Sequence, residues 1–220
     1  MLFNRSETYE IQELGSGSGV SMVESMACGI LILLLMLVGL PYVITHSKRN
    51  NEFSRLLVAR GFSIPKQMAC EYVAHFIVMM LLALSVLGIT CIGVSVTDMV
   101  ELYEVFALAE LLIPIIVLFA AFNIMIFEVS GNIVSGVLLH FFVSVSMCYV
   151  SGCMYPITAF PKFVQKSVAY TPTGMAKEWL ISNFTDEIPF FCFVGVLTYA
   201  VLFWGIAVLA RTQKVKYARG

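Results

Sequence analysis

"YEVFALAELLIPIIVLFAAFNIMIF", residues 103–127, is the run that decides the fold. A helix needs roughly 20 mostly apolar residues to cross the hydrocarbon of a bilayer. This run exceeds that, with Glu104, Glu110 and Asn123 as its only charged or amide side chains. Four more runs, at about 23–45, 68–96, 131–154 and 188–210, read the same way, so five spans are expected. The composition agrees: of 220 residues, 60% are hydrophobic and 12% charged, and the mean hydropathy is +0.91. A soluble core cannot hide that much apolar surface, so the chain reads as an all-α integral membrane protein.

A net charge of −1, with no basic stripe carrying interleaved aromatics, gives no footprint for nucleic acid. The six cysteines (28, 70, 91, 148, 153 and 192) form no CxxC pair and no His/Cys spacing, and they read as small buried hydrophobes. In the topology below Cys148, Cys153 and Cys192 fall towards the outer side, where a disulfide is allowed but not called for. The first twenty residues are polar and acidic, and no cleavable leader is legible in them.

Lysine and arginine set the expected orientation. Lys48, Arg49, Arg55, Arg60 and Lys66 lie between the first two runs, and Arg211, Lys214, Lys216 and Arg219 follow or close the last. The loop after the second run carries Asp98, Glu101 and Glu104 instead. The basic side is therefore the cytoplasmic one, with the C-terminus inside and the N-terminus outside. On this plan 1–22 is an extracytoplasmic segment, 23–212 the membrane domain and 213–220 a cytoplasmic tail.

Within the first basic loop, Phe53, Leu56 and Leu57 fall at i, i+3 and i+4 on one face of a short helix. Gly61 and Pro65 punctuate its end. Two readings fit: an interfacial helix among lipid headgroups, or a docking helix that presents an apolar knob to a cytosolic partner.

"SGCMYPITAFPKFVQKSVAYTPTG", residues 151–174, is too broken to span and too apolar for a solvated loop. Pro156, Pro161 and Pro172 permit only short helices, expected at 162–170 and 173–183. Phe160, Phe163, Val164 and Val168 fit a re-entrant pair of half-helices, provided that protein covers the broken backbone.

The small-residue pair, the aromatic-Pro, "FPKFVQ" and the following aromatic-x-Pro together resemble the outer re-entrant segment of ABC-2 type transporter permeases. "NNEFSRLLVARGFSIPKQMACEY" is similar to that family's cytoplasmic coupling-helix region. The two motifs stand at the right separation, and the resemblance covers about 23–212. It implies a permease subunit of an ATP-driven exporter. That subunit would pair with a second permease subunit, as a homo- or heterodimer, and dock a cytosolic ABC ATPase that holds ATP and Mg. It further implies that Glu52, Phe53, Arg55, Leu56, Leu57, Arg60 and Gly61 couple to the ATPase. Glu110, Tyr155, Pro156, Phe160, Pro161, Phe163 and Pro172 would shape the translocation route or outer gate. Six spans are usual in the family, so the first run here matches its second span. Residues 1–20, with "LGSGSGV" at 14–20, then read as the tail of an outer region or as a flexible linker.

Among polar residues in the runs, Glu110 is the ionisable group expected to line a route or to face an outer vestibule. Glu71 is expected to snorkel or to pair with Lys66, His75 and His140 to be hydrogen-bonded packing residues, and Asn123 to bond between helices. The fourth run is rich in small residues (Gly131, Ser135, Gly136, Ser144, Ser146, Ser151, Gly152), which suits either a subunit interface or close packing within the chain. No catalytic set, metal-ligand spacing or nucleotide-binding motif is present, so ATP hydrolysis is expected only from the partner. The expected cargo is amphipathic or hydrophobic: a peptide, lipid or drug. Two rivals are a non-transporting scaffold or sensor, and a secondary transporter using Glu110.

Overall fold

The computed structural model describes residues 22–40, 56–95, 102–130, 132–155, 157, 160–182 and 190–217. Among the described residues, and apart from a single turn at 56–59, seven helices follow one another: α1 (Met22–Leu37), α2 (Ile64–Ser95), α3 (Leu102–Val129), α4 (Ile133–Val150), α5 (Lys162–Val168), α6 (Pro172–Ile181) and α7 (Phe190–Tyr217). No strand occurs among the described residues. Among the described residues four stretches are long and apolar enough to cross a membrane: Ile64–Val86, Glu110–Val129, Ile133–Val150 and Phe190–Val215. The run expected at 23–45 contributes an apolar helix over Ser25–Leu37, and its residues 41–45 lie outside the described residues.

α3 is the central helix, packed against α2, α4 and α7. Leu112, Ile115, Ile116, Leu118, Phe119 and Phe122 are all buried while Ile113 and Val129 are exposed, so this helix is apolar nearly all round because most of its surface meets protein. The surrounding helices are as apolar but turn one face outward. Val73, Ile77 and Leu81 on α2, Val134, Leu138 and Phe142 on α4, and Val201 and Leu209 on α7 are exposed. Apolar faces of that extent match hydrocarbon rather than water as their surroundings. In hydrocarbon no hydrophobic force joins the helices, and close packing with hydrogen bonds between helices must do so. Tyr72 Oη donates to Val117 O at 2.7 Å, joining α2 to α3.

The chain direction alternates through α2, α3 and α4, which sorts the bundle into two ends. The start of α2 and the ends of α3 and α7 share the basic end, where Arg211 meets Glu71 and Glu128. The end of α4, the start of α7 and the helices α5 and α6 share the proline end. Trp179 Nε1 on α6 donates there to Leu111 O, early in α3, at 3.0 Å.

Proline and capping chemistry place the short helices. Pro161 precedes α5 and Pro172 opens α6, where a missing N–H breaks no helical bond. Thr171 Oγ1 caps α6 by accepting from Gly174 N at 3.0 Å. The two helices lie close to the expected 162–170 and 173–183. α4 stops at Val150 rather than 154 because Gly152 takes φ +71°. There Cys153 N donates to Cys148 O at 3.0 Å and Gly152 N to Tyr149 O at 3.2 Å, the paired bonds of a Schellman motif.

At the basic end, residues 56–59 form a helical turn closed the same way. Phe62 N donates to Leu57 O at 3.0 Å and Gly61 N to Val58 O at 3.1 Å, with Gly61 at φ +87°. A Cβ at Gly61 meets open space, so backbone strain alone opposes it. Gly61→Ala is expected to weaken this turn by about 1–2 kcal/mol. Hydrogen exchange at residues 56–62 should speed up roughly tenfold, while exchange within α3 stays unchanged.

Candidate functional site

The proline end is built around α6. Pro172, Thr173, Gly174, Met175, Ala176, Lys177, Leu180 and Ile181 are all buried, against α1, α3 and α7. Only Glu178 of this ten-residue helix is exposed, and Trp179 is half-buried, so α6 packs into protein on most of its sides. Its lysine is accommodated because Nζ of Lys177 donates to Gly152 O at 2.7 Å, at the carbonyl-rich end of α4. Thr173 Oγ1 bonds to Ser151 Oγ and donates to Met147 O at 3.3 Å. α1 is pressed onto the same turn: a Cβ on Gly29 would run into the backbone of Cys153.

α5 packs beside α6. Tyr155 and Phe160 meet edge to face with ring centroids 6.3 Å apart, and Tyr149 meets Phe160 likewise at 5.6 Å. Gln165 Nε2 donates to Phe160 O at 2.7 Å and holds the bend before Pro161. Phe163 is 80% exposed. The expected gate residues therefore divide. Tyr155 and Phe160 come together, Pro172 is buried in the inserted helix, Pro161 and Phe163 face outward, and Pro156 lies outside the described residues. Glu110 is exposed and sits beside Leu111, whose carbonyl holds Trp179, at this same end.

The basic end has a buried charge cluster that the sequence reading did not assemble. Arg211 Nη2 donates to Glu71 Oε2 at 2.7 Å and to Glu128 Oε1 at 2.6 Å, and Arg211 Nε donates to Glu128 Oε1 at 3.0 Å. Arg211 is 3% exposed and Glu128 2%. The expected Glu71–Lys66 pair is thus corrected: Lys66 is exposed, while Glu71 turns inward to an arginine 140 residues away. The fork of the guanidinium can serve two carboxylates at once, which an ammonium does less well. Lys214 Nζ donates to Ser130 O at 2.9 Å and adds a second tie from α7 to the end of α3. Of the expected coupling residues, Leu56 is 61% exposed, Leu57 is half-buried, and Arg60 and Gly61 are exposed. Glu52, Phe53 and Arg55 lie outside the described residues. The turn of 56–62 leads straight into α2, which carries Glu71 of the charge cluster.

Between the two ends, Asn123 links three helices. Its Nδ2 donates to His75 Nε2 at 3.2 Å on α2, and its Oδ1 accepts from His140 Nε2 at 2.7 Å on α4. All three side chains are buried, as the interhelical role expected for Asn123 requires. A Cβ on Gly39 would collide with the Asn123 amide, so the chain after α1 packs directly on this cluster.

Of the small residues expected in the fourth run, Gly136, Ser144, Ser151 and Gly152 are buried within the chain while Ser135 and Ser146 are exposed. Gly136, His140, Ser144 and Cys148 form the buried stripe of α4 at a spacing of four. No group of three or more His, Cys, Asp or Glu side chains gathers for a metal ion among the described residues. No protein-family model, curated protein or solved structure matches the chain.

Proposed function

We propose that this chain is the membrane subunit of an ATP-driven exporter of the ABC-2 type, working as one of two paired permease subunits. The observation that carries the reading is α6. A short, proline-opened helix is buried in one end of an apolar bundle, while an exposed leucine turn stands at the other end of the same helices. In this reading the membrane contains five spans, with α5 and α6 re-entrant on the outer side and the basic end in the cytoplasm. A cytosolic ATPase holding ATP and Mg docks on 52–61, with Leu56 as the knob. Its closure moves the 56–62 turn, and α2 carries that motion, through the Glu71–Arg211–Glu128 cluster, to α3 and α7. The inserted segment at the far end then opens a route for an amphipathic or hydrophobic cargo.

The test is co-purification followed by coupling. The full chain should bring down an ATPase, and Leu56→Asp or Leu57→Asp should abolish capture and the cargo-stimulated part of ATP hydrolysis. Leu56→Asp should leave the melting temperature unchanged, because Leu56 is exposed. Capture that survives both substitutions defeats the docking assignment. A chain that never brings down an ATPase is a scaffold or sensor instead.

A further inference from the structure

The Schellman turn at the end of α4 brings three sulfur atoms together. Cys148 and Cys153 occupy the two positions whose side chains meet in that motif, and Cys153 N donates to Cys148 O at 3.0 Å across it. Met36, on α1, closes on the pair with its Sδ 3.5 Å from Cys148 Sγ. All three residues are 0% exposed. An aliphatic pair would satisfy the apolar contact of the turn, yet here both members are thiols and the third side chain is a thioether. The set contains no carboxylate and no imidazole. Soft sulfur donors without hard oxygen ligands favour copper(I).

We infer that Met36, Cys148 and Cys153 form a buried binding site for a monovalent soft metal ion, copper(I). Binding replaces two S–H bonds by two Cu–S bonds: one Cu⁺ and two thiols give a dithiolate complex of charge −1 and two protons, with the thioether as third donor. The Lys177 ammonium offsets that charge. It is 6% exposed and hydrogen-bonded at 2.7 Å to the carbonyl of Gly152, the residue next to Cys153. The elements that supply the sulfurs are those that seat α6, so a bound ion would fasten α1 to the α4 turn beneath it.

The experiment titrates purified full-length chain in detergent with copper(I) under anaerobic conditions, against the chelator bicinchoninate. Cys28, Cys70, Cys91 and Cys192 are replaced by alanine so that only the two thiols of the site remain. Expected are uptake of one copper per chain, release of about two protons per copper, and an X-ray absorption spectrum of three sulfur neighbours. Cys148→Ser and Cys153→Ser should abolish uptake. Met36→Leu should lower the sulfur count to two, and Lys177→Gln should weaken affinity about 10–100-fold with the count unchanged. If the serine variants do not fold, the sulfur count of Met36→Leu and the proton release of the parent decide the question. The inference is overturned if the parent takes up no copper, if uptake survives both serine variants, or if Met36→Leu leaves three sulfurs. It is equally overturned if the two thiols resist alkylation until a reductant is added, since they are then a disulfide.

Discussion

Arg211→Met should destabilise the chain by about 3–5 kcal/mol, the largest loss expected of a single substitution. The guanidinium lies 2.7 Å from Glu71 and 2.6 Å from Glu128, and it is itself almost wholly buried. Methionine fills most of its volume but leaves two carboxylates facing each other where the cation was. Glu71, whose side chain is 22% exposed, has some access to water, whereas Glu128 at 2% has almost none. The main loss therefore comes from Glu128. Pairing the change with Glu128→Leu should restore much of the stability, because an apolar replacement of both partners removes the desolvation along with the attraction. Thermal unfolding in detergent measures both variants. An Arg211→Met chain as stable as its parent would mean that the cluster contributes nothing to holding α7 against α2 and α3.

Gly29→Ala should destabilise by about 1–3 kcal/mol through overpacking, and it should do so at the proline end alone. The added Cβ meets the carbonyl oxygen, Cα and carbonyl carbon of Cys153. Backbone cannot rotate away as a flexible side chain can, so α1 must back off from the turn that seats α6. Gly88→Ala and Gly205→Ala are the controls. Neither Cβ meets any atom within 4 Å, and alanine there should be neutral or stabilise by roughly 0.5–1 kcal/mol. Protease sensitivity of the α5–α6 segment should rise for Gly29→Ala and for neither control.

Local chemistry was legible in the sequence, and long-range pairing was not. The apolar runs located α2, α3, α4 and α7 because length and polarity are properties of a continuous stretch. Pro161 and Pro172 located α5 and α6 because a missing N–H acts within one turn. Gly61 announced the end of the 56–59 turn for a similarly local reason, its tolerance of positive φ. Glu71 misled the reading because its neighbour Lys66 supplies a plausible local cation, and nothing in the sequence aims it at Arg211. Arg211 itself was read as one of several basic residues marking a membrane boundary, although it is buried while Lys214 beside it is exposed. Lys177 escaped notice because "GMAKEW" looks like the surface of an ordinary helix. Only the position of α6 inside the bundle buries it. A helix packed among others hides polar residues that a surface helix would expose, and that burial depends on contacts with α1, α3 and α7 together.

The Asn123 amide makes its two histidines chemically unlike. His75 accepts the amide N–H at Nε2, so its own proton resides on Nδ1. His140 donates from Nε2, so its proton resides there and Nδ1 is bare. The two neutral imidazoles are held as opposite tautomers, and the two hydrogen bonds cannot reverse singly. Turning the amide over would demand that both rings exchange their protons in the dry middle of the bundle. The cluster is therefore a directional row of dipoles running from α4 through α3 to α2, fixed by one side chain that carries no charge.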